Sequence, residues 1–225
     1  MLRALYMLVV YMKRFLALLA LSSSFYSVNS AAEYDTLFID LAAGDVMEHY
    51  RVGYGETPAG EEGEKVTSMF YVGYFASEDE ISRGSDYLGV EDEEKVEILT
   101  LGAGGFGYLE DPQQYGGAEF DFELSQTKID ALDYDRIGLG FRTQLFIPVV
   151  AGLQANVGFN IRPFFLASDW NEQAQLEYDY QLGLEYAFSW DVALYGHYRY
   201  LSVVDDEDEE IQLAEGSLFG IRARF

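Results

Sequence analysis

Ala174 to Phe188 reads AQLEYDYQLGLEYAF, and its side chains sort into two rows with a period of two. One row is Ala174, Leu176, Tyr178, Tyr180, Leu182, Leu184, Tyr186 and Phe188; the other is Gln175, Glu177, Asp179, Gln181, Gly183, Glu185 and Ala187. Successive residues of a strand project to opposite faces, whereas a helix would scatter both rows around its axis. The stretch predicts one long strand of a sheet with an apolar and a polar face.

Leu153 to Arg162 repeats the pattern, with Leu153, Ala155, Val157, Phe159 and Ile161 against Gln154, Asn156, Gly158, Asn160 and Arg162. Ile137, Leu139, Phe141 and Leu145 oppose Arg136, Gly138, Gly140, Arg142 and Gln144, and Phe120, Phe122 and Leu124 oppose Glu119, Asp121, Glu123 and Ser125. Val192, Leu194, Tyr198 and Tyr200 oppose Ala193, Tyr195, His197 and Arg199, while Leu213, Phe219, Ile221, Ala223 and Phe225 are set against Gly220, Arg222 and Arg224. Weaker strands are expected near 35–42, 46–54, 66–76 and 96–109. The count is ten, with eight as the alternative if the first two do not join. Pro58, Pro112, Pro148 and Pro163 are expected at strand margins or in connections, because a proline inside a closed sheet deletes a ladder hydrogen bond.

A soluble barrel also alternates, but with its apolar row inside. Three features favour an antiparallel transmembrane up-and-down β-barrel with the apolar row facing lipid. Several strands run ten or more residues, near the ~9–11 that a tilted membrane strand needs. Tyr178, Tyr180, Tyr198, Tyr200 and Trp170 gather toward one set of strand ends, and Tyr186, Phe188, Trp190 and Phe225 toward the other, as interfacial girdles do. Finally, Phe219, Ile221, Ala223 and Phe225 share one face at the end of the chain. That ending resembles the last strand of bacterial outer-membrane barrels, which implies an assembly signal at these four residues and the barrel-assembly machinery as a partner.

Residues 1–32 carry Arg3, Lys13 and Arg14, no acidic residue, an apolar run from Phe15 to Leu21, and Ser30-Ala31-Ala32. This is the order of a secretory signal peptide, with Met12 as a second start and cleavage expected after Ala32, a cut after Ser30 or Ala31 being nearly as good. Its removal takes the net charge from −25 to −28. So acidic a chain lacks the basic surface that nucleic acid requires. With no cysteine it also excludes thiol catalysis and disulfides. The remaining residues, 33–225, make one domain of ordinary size.

Barrels of this kind have short periplasmic turns and longer outer loops. Periplasmic termini then put Ser189–Asp191, Ile147–Gly152 and 55–65 at the periplasmic side. Segments 77–95, 127–133, 167–173 and 203–212 face outward, with a very short outer turn at Ala42–Asp45.

Four stretches read together resemble the YfaZ family of outer-membrane proteins. They are Leu37-Phe38-Ile39-Asp40-Leu41-Ala42-Ala43-Gly44, Arg136-Ile137-Gly138-Leu139-Gly140-Phe141, Leu194-Tyr195-Gly196-His197-Tyr198-Arg199-Tyr200 and Ser217-Leu218-Phe219-Gly220-Ile221-Arg222-Ala223-Arg224-Phe225. The resemblance covers the last ninety residues best and Ser77 to Gln126 poorly. It implies a small outer-membrane barrel and no particular chemistry.

The polar face supplies the candidate site: Glu119, Asp121, Glu123, Arg136, Arg142, Arg162, Glu177, Asp179, Glu185, His197, Arg199, Arg222 and Arg224 are expected to line the lumen. Acidic and basic strands partly alternate, which suits either a charge-selective constriction or a plug of mutually paired charges. No catalytic residue is assigned. His197, with Glu185 or Asp179 on the strand before, is the one constellation a hydrolase reading could use, and no serine is evidently placed as nucleophile. The acidic runs Glu78-Asp79-Glu80, Glu91-Asp92-Glu93-Glu94 and Asp205-Asp206-Glu207-Asp208-Glu209-Glu210 lack the glycine-turned loop of a dedicated calcium site. No metal or cofactor is expected, and the runs read as solvated loops bridged loosely to lipopolysaccharide. The sequence thus points to a non-enzymatic outer-membrane barrel, structural or a narrow porin-like channel for small solutes. An outer-membrane hydrolase acting on lipid or peptide and a soluble ligand-binding barrel are the alternatives.

Overall fold

The computed structural model describes residues 33–58, 64–80, 82–83, 93–109, 116–129, 134–168, 174–188, 192–205 and 209–225. The leader 1–32 lies outside the described residues, as do Trp170 and Trp190 of the expected girdles, Pro112, and Asp206 to Asp208 of the last acidic run. No helix among the described residues is long and apolar enough to cross a membrane.

Ten long strands form one closed antiparallel barrel: β1 (Glu33–Gly44), β2 (Met47–Pro58), β3 (Glu64–Glu80), β5 (Glu93–Leu109), β6 (Gly116–Ile129), β7 (Tyr134–Val150), β8 (Leu153–Pro163), β9 (Leu176–Ala187), β10 (Val192–Val204) and β11 (Glu210–Arg224). The two-residue strand β4 (Ser82–Arg83) pairs with Ile211 and Gln212. It takes the stretch of β11 beyond Gly44↔Leu218, where the pairing of β1 with β11 ends. Each long strand pairs with its neighbours in sequence, and β1 closes on β11 from Phe38↔Arg224 to Gly44↔Leu218. Leu37 and Phe225 exchange backbone hydrogen bonds of 2.9 Å, so both strands enter and leave at one end of the barrel. Where β1 and β11 pair, closure leaves no sheet edge, the condition for placing strands in hydrocarbon.

The faces are inverted relative to a soluble barrel. Leu182 is 59% exposed, Leu184 54% and Val157 40%, whereas Glu185 is 4% exposed and Asn156 0%. The exposed apolar row continues around the wall through Val52, Phe70, Val72, Leu101, Phe120, Phe122 and Ile221.

This apolar band has a marked upper limit, away from the termini. There tyrosine hydroxyls on the outer face donate to carboxylates: Tyr50 to Glu48 at 2.7 Å, Tyr74 to Glu97 at 2.8 Å, and Tyr178 and Tyr200 to Glu210 at 2.6 and 2.7 Å, with Tyr198 bonded to Glu215. Tyr180 stacks on Tyr200 at the same level. An aromatic ring in the lipid and a hydroxyl in the polar zone is the arrangement expected at an interface.

Beyond that limit the two faces exchange character. Lys95, Glu97, Lys128 and Asp135 stand outside, while Phe75, Val96, Ile98, Ile129, Tyr134, Leu201, Val203, Ile211 and Leu213 form a buried apolar cluster inside. The strands are 11 to 17 residues long, more than the ~9–11 a membrane strand needs, and the surplus builds a small water-type core on top of the membrane-type barrel.

Several expectations are corrected. Leu213 belongs to the buried cluster rather than the lipid-facing row, because Leu201 pairs with Ala214 and Ser202 with Gln212; the extra residue is a β-bulge that reverses the phase of β11. The segment 147–150 is strand, not turn. It pairs Ile147↔Ala155 and Pro148↔Gln154, with an irregularity between Pro148 and Val150 that accommodates the proline. The turn shrinks to Ala151-Gly152, where Gly152 has φ 77°, a value glycine adopts without Cβ strain. The expected 55–65 connection is shortened at both ends, because β2 runs to Pro58 and β3 begins at Glu64. On the opposite side β3 and β5 extend into 77–95, and the short turn shifts to Asp45-Val46.

Candidate functional site

Below the apolar cluster the interior is a layer of arginines and carboxylates. Its placement follows from strand phase: in β6, Glu119, Asp121, Glu123, Ser125 and Thr127 are the inward row, and in β7 it is Arg136, Arg142 and Gln144. Ladder pairing sets Asp121 opposite Arg142, Arg162 opposite Glu177 and Asn160 opposite Asp179.

Arg142 donates to Glu119 at 2.5 Å, to Asp121 at 3.1 Å and to Gln144 at 2.6 Å. Arg51 donates to the same Glu119 and to Asp40, each at 2.7 Å. Asp40 also receives the Tyr195 hydroxyl and lies 3.4 Å from Arg222, whose other amino group bonds Glu185 at 3.0 Å. Arg162 bonds Glu177 at 2.5 Å and lies 3.8 Å from both Glu123 and Asp179; Asp179 in turn accepts Arg199 at 2.9 Å. Glu123 accepts Tyr71 and Asn160, each at 2.6 Å. Rings cover several guanidinium faces: Arg51 lies over Phe38 and Tyr71, Arg199 over Phe75, and Arg222 over Phe146 and Tyr195.

Desolvating so many charges is costly, and the layer persists because opposite charges stand side by side in it, most of them joined by hydrogen bonds. Glycines on the inner face leave room for it. A Cβ on Gly102 would overlap the Tyr71 ring at 2.1 Å, so the hydroxyl of Tyr71 reaches Glu123 only because that position is bare.

The structure places Glu119, Asp121, Glu123, Arg136, Arg142, Arg162, Glu177, Asp179, Glu185, His197, Arg199 and Arg222 in the buried interior. Arg224 is half-buried near the termini, its guanidinium over the rings of Phe106 and Phe38. Phe219, Ile221 and Phe225 lie on the outer face, exposed, with Ala223 half-exposed beside them. His197 does not meet the carboxylates a hydrolase reading would give it. It stacks on Tyr195 with centroids 5.1 Å apart and neither ring nitrogen has a hydrogen-bond partner, while Glu185 is held by Arg222 and Gln154 and Asp179 by Arg199. Among the described residues no group of three or more His, Asp or Glu is placed to hold a metal ion.

Sequence reasoning missed Asp40 and Arg51, the two residues that tie β1 and β2 into the network. Their signal was present: Phe38, Asp40 and Ala42 alternate with Leu37, Ile39 and Leu41, and Arg51, Gly53 and Gly55 with Tyr50, Val52 and Tyr54.

No protein-family model matches the sequence, and no curated protein matches it significantly. Solved structures do. The NanC porin is 8% identical over 84% of this chain and 99% of its own, with a TM-score of 0.36. The translocator domain of the autotransporter NalP from Neisseria meningitidis is 13% identical over 96% and 97%, with a TM-score of 0.28. Ail, the attachment invasion locus protein of Yersinia pestis, is 10% identical over 86% and 97%, with a TM-score of 0.24. At such identities and TM-scores nothing about activity passes from these proteins to this chain.

Proposed function

We propose that this chain is a bacterial outer-membrane barrel of a non-enzymatic, structural kind, sealed against solute flow rather than a narrow porin-like channel. The observation that carries the reading is the filled interior. The ion-paired layer occupies the membrane part of the lumen, and the buried cluster of Phe75, Val96, Ile98, Ile129, Leu201, Val203 and Leu213 stands between that layer and the outer mouth. An ion crossing this path would have to shed water against hydrocarbon and break charge pairs in turn.

Lipid and lipopolysaccharide are the contacts that suit the outer wall, through its apolar band and the tyrosine and carboxylate rim. Assembly by the barrel-assembly machinery, read from Phe219, Ile221, Ala223 and Phe225, is supported by the outward placement of these residues. The four stretches that resemble the YfaZ family fall in β1, β7, β10 and β11, and we assign the chain to barrels of that type on their strength.

Recording from the refolded protein in planar bilayers tests the sealed reading. The expected result is a membrane without unitary steps at moderate voltage, under conditions where an open porin inserted in parallel conducts. Discrete, ion-selective steps from the same preparation would return the function to a channel.

A further inference from the structure

Where the charged layer meets the apolar cluster there is a cavity of about 30 Å³, walled by His49, Arg51, Tyr71, Gly73, Phe75, Ile98, Thr100, Glu123, Arg142, Asn160, Arg162, Asp179 and Arg199 among others. One water needs ~10–15 Å³, so the space holds more than one small species. Four arginines and two acidic residues, Glu123 and Asp179, are among those that line it.

Both carboxylates are already engaged, Glu123 by Tyr71 and Asn160 and Asp179 by Arg199. The donors are not exhausted. Nε of Arg51, of Arg162 and of Arg199 is buried without a hydrogen-bond partner, and these residues are 2%, 3% and 7% exposed. Nδ1 of His49 is likewise unpartnered and donates in one of its two tautomers. Buried N–H groups of cationic side chains are seldom left unsatisfied. Spare cationic donors beside a small recessed space together define the chemistry of an occupant.

We propose that this cavity binds a small monovalent inorganic anion of the chloride and bromide class, held by the spare guanidinium N–H groups of Arg51, Arg162 and Arg199. The ion takes up the guanidinium donors that the carboxylates of the network leave over. The remaining acceptor, Oδ1 of Asn160, suits a water beside it. The proposal concerns a resident ion and stands whether or not the barrel conducts.

The test uses the refolded full barrel and bromide as the probe. Crystals grown in sodium bromide and measured at the bromine edge are expected to show one anomalous peak within this cavity. Thermal unfolding in detergent is expected to occur at higher temperature in chloride or bromide than in gluconate at equal ionic strength. Gly73→Ala supplies the control that leaves every charge in place. Its Cβ would sit 3.4 Å from Cγ of Arg51 and 3.5 Å from Cβ of Thr100, so the methyl enters the cavity without displacing backbone. In that variant the halide dependence of unfolding and the anomalous peak should both be lost while the barrel still folds. Solvent density without anomalous signal in the parent, or a halide dependence that survives Gly73→Ala, would overturn the proposal.

Discussion

Arg51 reaches across the barrel from β2 to β6 and donates to Glu119 at 2.7 Å, although 68 positions separate them in sequence. Its second amino group holds Asp40 on the adjoining strand at the same distance, so one side chain joins the two ends of the charged layer.

Arg51→Met should therefore lower unfolding stability by ~1–3 kcal/mol, the cost of buried hydrogen-bonding groups losing a partner, and less than the loss of a lone ion pair because Glu119 keeps Arg142 and Asp40 keeps Arg222. Urea titration of the barrel in lipid vesicles measures it. Combining Arg51→Met with Asp40→Asn should cost less than the sum of the two single losses, since the Arg51–Asp40 pair is counted in both. A single variant as stable as the parent would show that the ion pairs do not hold the layer.

The outer wall and the upper interior both display leucines, but in different solvents. Leu201 is fully buried in the apolar cluster, and Leu201→Ala should cost ~2–5 kcal/mol as in a water-soluble core. Leu182 faces lipid, which is as apolar as leucine itself. Leu182→Ala should then cost clearly less than Leu201→Ala in the same vesicle assay, and equal losses would contradict the division of the barrel into two zones.

Charge placed on the wall should report depth. Leu182→Arg is expected to destabilise by ~2–4 kcal/mol and Glu97→Arg, beyond the tyrosine rim, by ~0–1 kcal/mol. Comparable penalties at both positions would mean that the apolar band does not end where the tyrosines meet their carboxylates.

Gly183 on β9 lies opposite His197 of β10. A Cβ there would lie 2.2 Å from the carbonyl oxygen of Gly196 and 2.4 Å from Cβ of His197, so Gly183→Ala forces backbone apart. A loss of ~1–3 kcal/mol is expected, in contrast to Gly73, where an added Cβ would meet its neighbours at ordinary van der Waals distance. The pair of glycine variants, measured by the same unfolding assay, separates steric need from glycine content alone.

Much of this was legible in the sequence because period-two alternation survives wherever one face meets hydrocarbon and the other a polar lumen. β8 and β9 read directly, and with them the inward placement of Asn156, Glu177, Asp179 and Glu185. The reading faltered where that contrast fades. Leu213 looks lipid-facing if β11 keeps one phase, and a bulge reveals itself only through the partner strand, at Leu201 and Ser202. Ile147 to Gly152, with Pro148 near its start, reads as a turn, yet the ladder continues through Pro148 to Val150 with an irregularity between them. Val96, Ile98 and Ile129 alternate with Lys95, Glu97 and Lys128, a soluble-type pattern that merges in sequence with the membrane-type pattern below it. Asp40 and Arg51 were hidden by scale, since each is a single charge in a short apolar run whose partners lie on distant strands.

Everything here depends on the apolar row touching hydrocarbon, and the cysteine-free chain makes that directly measurable. Single cysteines at Val157, Leu182 and Leu184, and at Asn156, Gln181 and Glu185, can each carry a small environment-sensitive fluorophore in vesicles containing brominated lipid. Strong quenching at the first three and little at the second three is the predicted result. The reverse order, or quenching at neither set, would contradict the account.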